Sequence, residues 1–256
     1  MLVVLSPAKT LDFSPVDAPA FTQPRLLEQT AQLIGALRKK SPKKLESLMS
    51  ISSTLAEQNA ARYASFDTPE SLAAAKPALL AFKGDVYRGL EVEALDDDDL
   101  LWAQDHVRVL SGMYGILRPL DLIQPYRLEM GTKLKVGRKK NLYEFWDRRI
   151  TDLLVADIQS TGAKYVLDAA SKEYMGCLDQ SCLGVPVLTA DFRERRNGKL
   201  KFITYNAKMA RGKLAQLVVL NRITEPEGFA DLDVNGYAYD AERSTESLIA
   251  FTKECD

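Results

Sequence analysis

Six basic side chains stand next to turn-forming or loop-forming residues: Lys9, Lys83, Arg118, Arg127, Lys208 and Arg211. Ser6-Pro7-Ala8-Lys9-Thr10 sets an ammonium and a hydroxyl at a turn after an apolar run, as phosphate sites do. It lacks the Gly-x-x-x-x-Gly-Lys spacing of a nucleotide P-loop, which argues against an NTPase. Lys83 and Asp85 flank Gly84, while Arg118, Asp121, Arg127 and Glu129 fall in a Gly-, Pro- and aromatic-rich segment of the kind where function concentrates. Each acid–base pair has a structural reading, an ion pair that holds loops, which is preferred over catalysis for Asp121 and Glu129. The six bases have a second reading, as the lining of a phosphate-binding cleft.

Leu48-Met49-Ser50-Ile51-Ser52, with Ala56 downstream, has the spacing of a helix-hairpin-helix turn. Such modules hold a DNA phosphate on turn N–H groups and a helix N-terminus, without reading bases. Serine stands here where the module usually has its two glycines; it caps helices well but tolerates positive φ less readily. The element would cover about residues 42–63, with Lys43, Lys44, Ser50, Ser52 and Ser53 facing DNA. An ordinary helical hairpin is the competing reading.

Other chemistries find little support. One His and no Cys-x-x-Cys weigh against zinc and histidine-rich iron sites, so no cofactor and no tightly bound metal are expected. No nucleophile–base pair is recognisable, and no catalytic residue is assigned. Asp96 to Asp99 read as acids favoured at a helix N-terminus rather than as a metal cluster. His106 reads as a helix-surface or core residue. Cys177 and Cys182 have only Lys172 as a nearby base, so they read as structural rather than as a peroxide-sensing pair.

The chain of 256 residues, 46% hydrophobic and 27% charged, has the composition of an ordinary globular protein. No apolar run approaches the ~18 residues of a membrane span, and residues 1–5 lack the basic flank of a signal peptide. Three unevenly placed cysteines fit a reducing cytoplasm. Lys and Arg number 34 against 35 Asp and Glu, a balance that by itself speaks against a nucleic-acid partner. The charges are segregated, however. Residues 38–44 and 133–140 hold bases without an acid, and 193–213 hold eight bases against Glu194. Phosphate contacts respond to that local field rather than to the total.

Several elements must position these residues. Residues 2–5 read as a buried strand and 12–24 as loop. A helix follows with Leu26, Leu27, Thr30, Ala31, Ile34 and Leu37 on one face. Ser41-Pro42 starts a short helix through Met49, and Thr54-x-x-Glu57 would box the start of another over 54–63. Thr68-Pro69-Glu70 starts a further helix. Residues 78–82 suggest a buried strand, 96–110 a capped helix, 111–131 a packed loop region, and Asn141 caps a helix through Leu153. Residues 165–167 and 185–188 are strand-like, and Asn197-Gly198 marks a hairpin over 191–205. A helix over 208–223 and strands at 237–239 and 248–251 complete a single domain of α+β (mixed α/β) class.

Several of these stretches resemble the YaaA family of bacterial peroxide-stress proteins. They are Leu5-Ser6-Pro7-Ala8-Lys9-Thr10-Leu11-Asp12, Ala81-Phe82-Lys83-Gly84-Asp85-Val86-Tyr87 and Leu110-Ser111-Gly112-Met113-Tyr114-Gly115-Ile116-Leu117-Arg118-Pro119-Leu120-Asp121. Gln124-Pro125-Tyr126-Arg127-Leu128-Glu129-Met130-Gly131, Ala170-Ser171-Lys172-Glu173-Tyr174 and Ala207-Lys208-Met209-Ala210-Arg211-Gly212 continue the match in order. The resemblance implies a cytosolic protein that limits damage from unincorporated iron. It also implies a family-specific single-domain fold with a positively charged cleft and a helix-hairpin-helix element that bind DNA. The missing glycines at the hairpin are a departure from general helix-hairpin-helix rules. The alternative is an enzyme acting on a phosphorylated or nucleic-acid substrate in the same cleft.

Overall fold

A computed structural model describes residues 1–66 and 75–255; the helix expected from Thr68 lies outside the described residues. The strands are β1 (Leu2–Leu5), β2 (Thr10–Leu11), β3 (Lys76–Pro77), β4 (Phe82–Lys83), β5 (Val107–Ser111), β6 (Gly115–Leu117) and β7 (Leu122–Ile123). They continue as β8 (Val166–Asp168), β9 (Val187–Arg196), β10 (Lys199–Lys201), β11 (Asp233–Val234), β12 (Tyr237–Tyr239) and β13 (Leu248–Cys255). The first helices are α1 (Leu27–Arg38), α2 (Pro42–Met49), α3 (Ser53–Ser65), α4 (Ala78–Ala81) and α5 (Asp85–Leu90). Later come α6 (Asp97–His106), α7 (Leu142–Trp146), α8 (Arg149–Thr161), α9 (Lys172–Met175) and α10 (Thr204–Leu220).

The central sheet runs β11-β12-β13-β9-β8-β1-β5-β6, with β10 paired to β9. Five adjacent strands, β13, β9, β8, β1 and β5, pair in parallel with one another, while β12, β6 and β10 join them antiparallel. Every residue of β1 and β5 is buried, as expected of parallel strands covered on both faces. Counted in chain order, the five parallel strands lie 2-1-3-4-5, so the order reverses at β1. Crevices beyond the C-terminal ends of strands at such a reversal are where open α/β sheets bind ligands. The fold is a single mixed α/β domain.

One buried ion cluster ties loop, strand and helix together. Asp157 of α8 accepts from Arg108 Nε of β5 at 2.6 Å and from Arg25 Nη1 and Nη2 at 2.6 and 2.9 Å. Burial pushes the Asp157 carboxyl up, but the hydrogen bonds from Arg25 and Arg108 outweigh it and leave the pKa below the ordinary value.

Tertiary structure redraws several expected elements. Residues 78–81 form a single helical turn rather than a strand, because Ala78 and Leu79 N–H groups bond the Asp121 and Pro119 carbonyls instead of a ladder. The helix after Asp96 does carry its capping box, yet it stops at His106, and the β-branched Val107 and Val109 enter the sheet as β5. The 111–131 segment is packed but also contributes β6 and β7. The helix capped by Asn141 breaks in two at Asp147, whose φ is 50°. Helix α10 starts at Thr204, four residues early, and so shortens the hairpin expected over 191–205: its Asn197-Gly198 turn forms, but the return strand β10 ends at Lys201. Helix α3 is capped by Ser52, which accepts from Leu55 N at 3.3 Å, not by a Thr54 box.

Candidate functional site

Beyond the C-terminal ends of β1 and β8 lies a cleft of about 540 Å³. Residues 6–10 after β1 and Ala169 and Ser171 after β8 line one side. Ser171 N donates to Ser6 Oγ at 2.8 Å, joining the two strand ends, and Tyr87 OH donates to the Ser6 carbonyl at 3.0 Å. The β2–β4 pair sets Thr10 against Lys83, which carries Lys83 to the same mouth. Gly84 then turns the chain into α5 with φ 152° and ψ −176°, a region essentially closed to other residues.

Two glycines bring the basic helix to this place. A Cβ on Gly89 of α5 would lie 2.0 Å from the Met209 carbonyl oxygen, and one on Gly212 of α10 would lie 1.8 Å from that of Val86. The helices therefore cross backbone against backbone, and Lys208 Nζ reaches 3.7 Å from Asp85 Oδ2. The opposite wall, with Tyr126 and Arg127, is held by buried hydrogen bonds. Ser111 Oγ and Tyr126 OH share one of 2.8 Å, and Gln124 N donates to Tyr114 OH at 2.9 Å.

Five of the six expected cleft bases line this space: Lys9, Lys83, Arg127, Lys208 and Arg211. Four of them also meet a carboxylate. Lys9 Nζ is 2.7 Å and Arg127 Nη2 3.3 Å from Glu129, Lys83 Nζ is 2.6 Å from Glu93, and Lys208 pairs with Asp85. Arg211 has no ion pair within 4.0 Å among the described residues. Burial lowers its pKa against the more distant charges of Asp168 and Asp191. The Nε groups of Arg127 and Arg211 are buried without a hydrogen-bond partner, a costly state that an entering anion could relieve only by shifting them. Burial also raises the Asp168 carboxyl, which accepts from Ala170 N at 2.9 Å.

Arg118 does not line the cleft. It grips the buried Asp121 through Nη2 at 2.8 Å and the Gln23 carbonyl at 3.2 Å, so it holds a loop. Asp121 thus has the ion-pair role expected of it, and Glu129 joins two bases at the cleft wall. The expected hairpin residues Lys43, Lys44, Ser50, Ser52 and Ser53 are all exposed and stand outside the cleft lining. Ser50 ends α2 in the left-handed region, with φ 52° and ψ 52°. Tyr63 of α3 donates its OH to the Arg127 carbonyl, which ties the hairpin to the cleft wall. Arg38, counted among the bases near the hairpin, instead caps α3, donating from Nε to the Tyr63 carbonyl at 2.7 Å.

Cleft residues that sequence reasoning did not single out include Arg88, Tyr126 and Glu173. Arg88 lies one helical turn after Asp85, and that spacing was the available signal. Five of the eight 193–213 bases meet a carboxylate: Arg193 meets Asp191, Arg195 Glu254, Arg196 Glu194, Lys208 Asp85 and Lys213 Glu91. His106 stacks on Trp102 with ring centroids 3.9 Å apart, and Nδ1 is 3.1 Å from the Met1 carbonyl. Burial pushes the Cys177 thiol up to about 12, which leaves almost no thiolate at neutral pH and weighs against peroxide sensing there. Among the described residues no helix is long and apolar enough to cross a membrane.

These features define an α/β protein with a charged cleft at the reversal point of its parallel sheet. The chain belongs to the family described as peroxide stress protein YaaA, whose model matches residues 1–243. It is 49% identical over 255 residues to a UPF0246 protein of Rhizorhabdus wittichii, covering 99% of each chain. It is 46% identical over 255 residues to a UPF0246 protein of Albidiferax ferrireducens, covering 99% of this chain and 98% of that one.

Proposed function

We infer that this peroxide-stress protein works in the cytoplasm by binding DNA without reading its sequence, and so limits damage from unincorporated iron. The carrying observation is convergence: Lys9, Lys83, Arg127, Lys208 and Arg211 come from separate segments and line one cleft. With Arg88 the lining holds six bases against three acids, Asp85, Glu129 and Glu173. The hairpin supports the same reading, since Lys43, Lys44 and the serines around the α3 N-terminus are exposed and α3 is bonded to the cleft wall.

Binding dominated by phosphates weakens steeply with salt, with a log–log slope of about −0.9 per contact. Fluorescence anisotropy on labelled duplexes of unrelated sequence should give that slope and similar affinities. Lys9→Glu with Lys208→Glu, and separately Lys43→Glu with Lys44→Glu, should weaken all duplexes alike. Salt-independent binding, or none at low salt, would refute the reading.

A second reading, an enzyme acting on a phosphorylated substrate, draws on the position of the cleft at the sheet's reversal point and on its interspersed carboxylates. Turnover of nucleotides or DNA that Lys9→Ala abolishes would favour it.

A further inference from the structure

The outer face of α1, the turn around Gly137 and the start of α8 enclose a second groove, of about 650 Å³. Its lining includes Lys39, Lys40, Lys135, Lys139 and Arg149 and no carboxylate. These bases belong to the two acid-free segments 38–44 and 133–140, far apart in the chain, with Arg149 added from α8. Only Lys139 has an ion-pair partner among the described residues, the exposed Asp147 at 3.5 Å. Five cations held together with so little neutralisation repel one another, in a protein whose net charge is only −1.

The groove is also shaped. Val136 and Lys139 exchange two backbone hydrogen bonds of 3.0 Å, so Lys135 and Lys139 project from a fixed hairpin. The floor contains Gly35, in the interior of α1, where glycine weakens a helix. A Cβ at Gly35 would meet nothing within 4 Å, so internal packing does not demand glycine. The missing side chain leaves room for a ligand to lie close to the helix.

We propose that this groove is a second phosphate track, holding the backbone of the DNA that the hairpin engages. Lys40 stands three residues before Lys43, so the track leads directly into α2. Lysines spaced along a helix and a turn suit a chain of repeated charges better than one compact anion. The proposal rests on the DNA reading above.

The test is the same anisotropy titration on the full chain. Lys135→Glu with Lys139→Glu should weaken duplex binding about tenfold at low salt and make the log–log slope shallower by about 2. Gly35→Gln, which fills the floor at unchanged charge and favours the helix, should weaken binding several-fold. Lys199→Glu with Lys201→Glu, outside both linings, should change little. If the wild type binds but the groove variants match it, or if the β10 pair loses as much, the groove is excluded and the DNA reading stands. If the wild type binds no DNA, both fall.

Discussion

Glu194 shows how one side chain can hold three elements. Its side chain is almost fully buried on β9 and accepts from Asn206 of α10 at 2.5 Å, Tyr237 of β12 at 2.8 Å and Arg196 at 2.7 Å. Burial pushes the carboxyl up, but these donors outweigh it and lower the pKa from 4.5 to about 2. A depressed carboxylate stabilises the fold above its unfolded pKa, and that contribution disappears as pH falls through the folded value. Glu194→Gln should therefore be less stable than wild type at pH 7, and the gap should close between pH 4.5 and about 2. Urea unfolding at pH 7 and pH 3 measures this; a constant gap would show that the charge is not responsible. His106 runs the other way. Burial lowers its pKa, so acidification below about 6.5 should cost stability, and His106→Phe should flatten that part of the profile in urea unfolding.

At the scale of elements, close approach and turn conformation matter most. Gly212→Ala would set a methyl against the Val86 carbonyl, forcing α5 and α10 apart. Overpacking of this kind costs about 3 kcal/mol, and it should also move Lys208 and Arg211 in the cleft. Thermal unfolding together with DNA titration checks both effects. The hairpin offers the reverse case. Ser50 occupies the left-handed region, which costs a non-glycine residue about 1 kcal/mol. Ser50→Gly should raise stability by roughly that amount in urea unfolding while leaving the α2–α3 turn in place. The sequence already marked this turn through its serines and Pro42. It did not reveal that Ser52, rather than Thr54, caps α3, because both have capping side chains and only the left-handed Ser50 decides where the helix starts.

Across the whole molecule, charge separation depends on what each basic segment meets. Residues 193–213 look the most basic, yet Glu254, Glu194 and Glu91 pair with three of their bases. Arg195 also lies outside both linings, so Arg195→Gln should leave the salt slope proposed for DNA binding unchanged, in contrast to Lys9→Glu with Lys208→Glu, which lie in the cleft; an equal loss would move the binding surface to β9. Acid-free segments 38–44 and 133–140 meet across a groove instead. By themselves, the residues determined the class of fold, the buried strand at 2–5, the Asn197-Gly198 hairpin and the family, because burial periodicity, turn chemistry and motifs are local. Tertiary structure alone decided the 2-1-3-4-5 strand order, the bond from Arg118 to the Gln23 carbonyl and the meeting of five bases in the cleft. Those outcomes turn on which distant carboxylate or carbonyl lies within reach, and spacing along the chain carries no such distance.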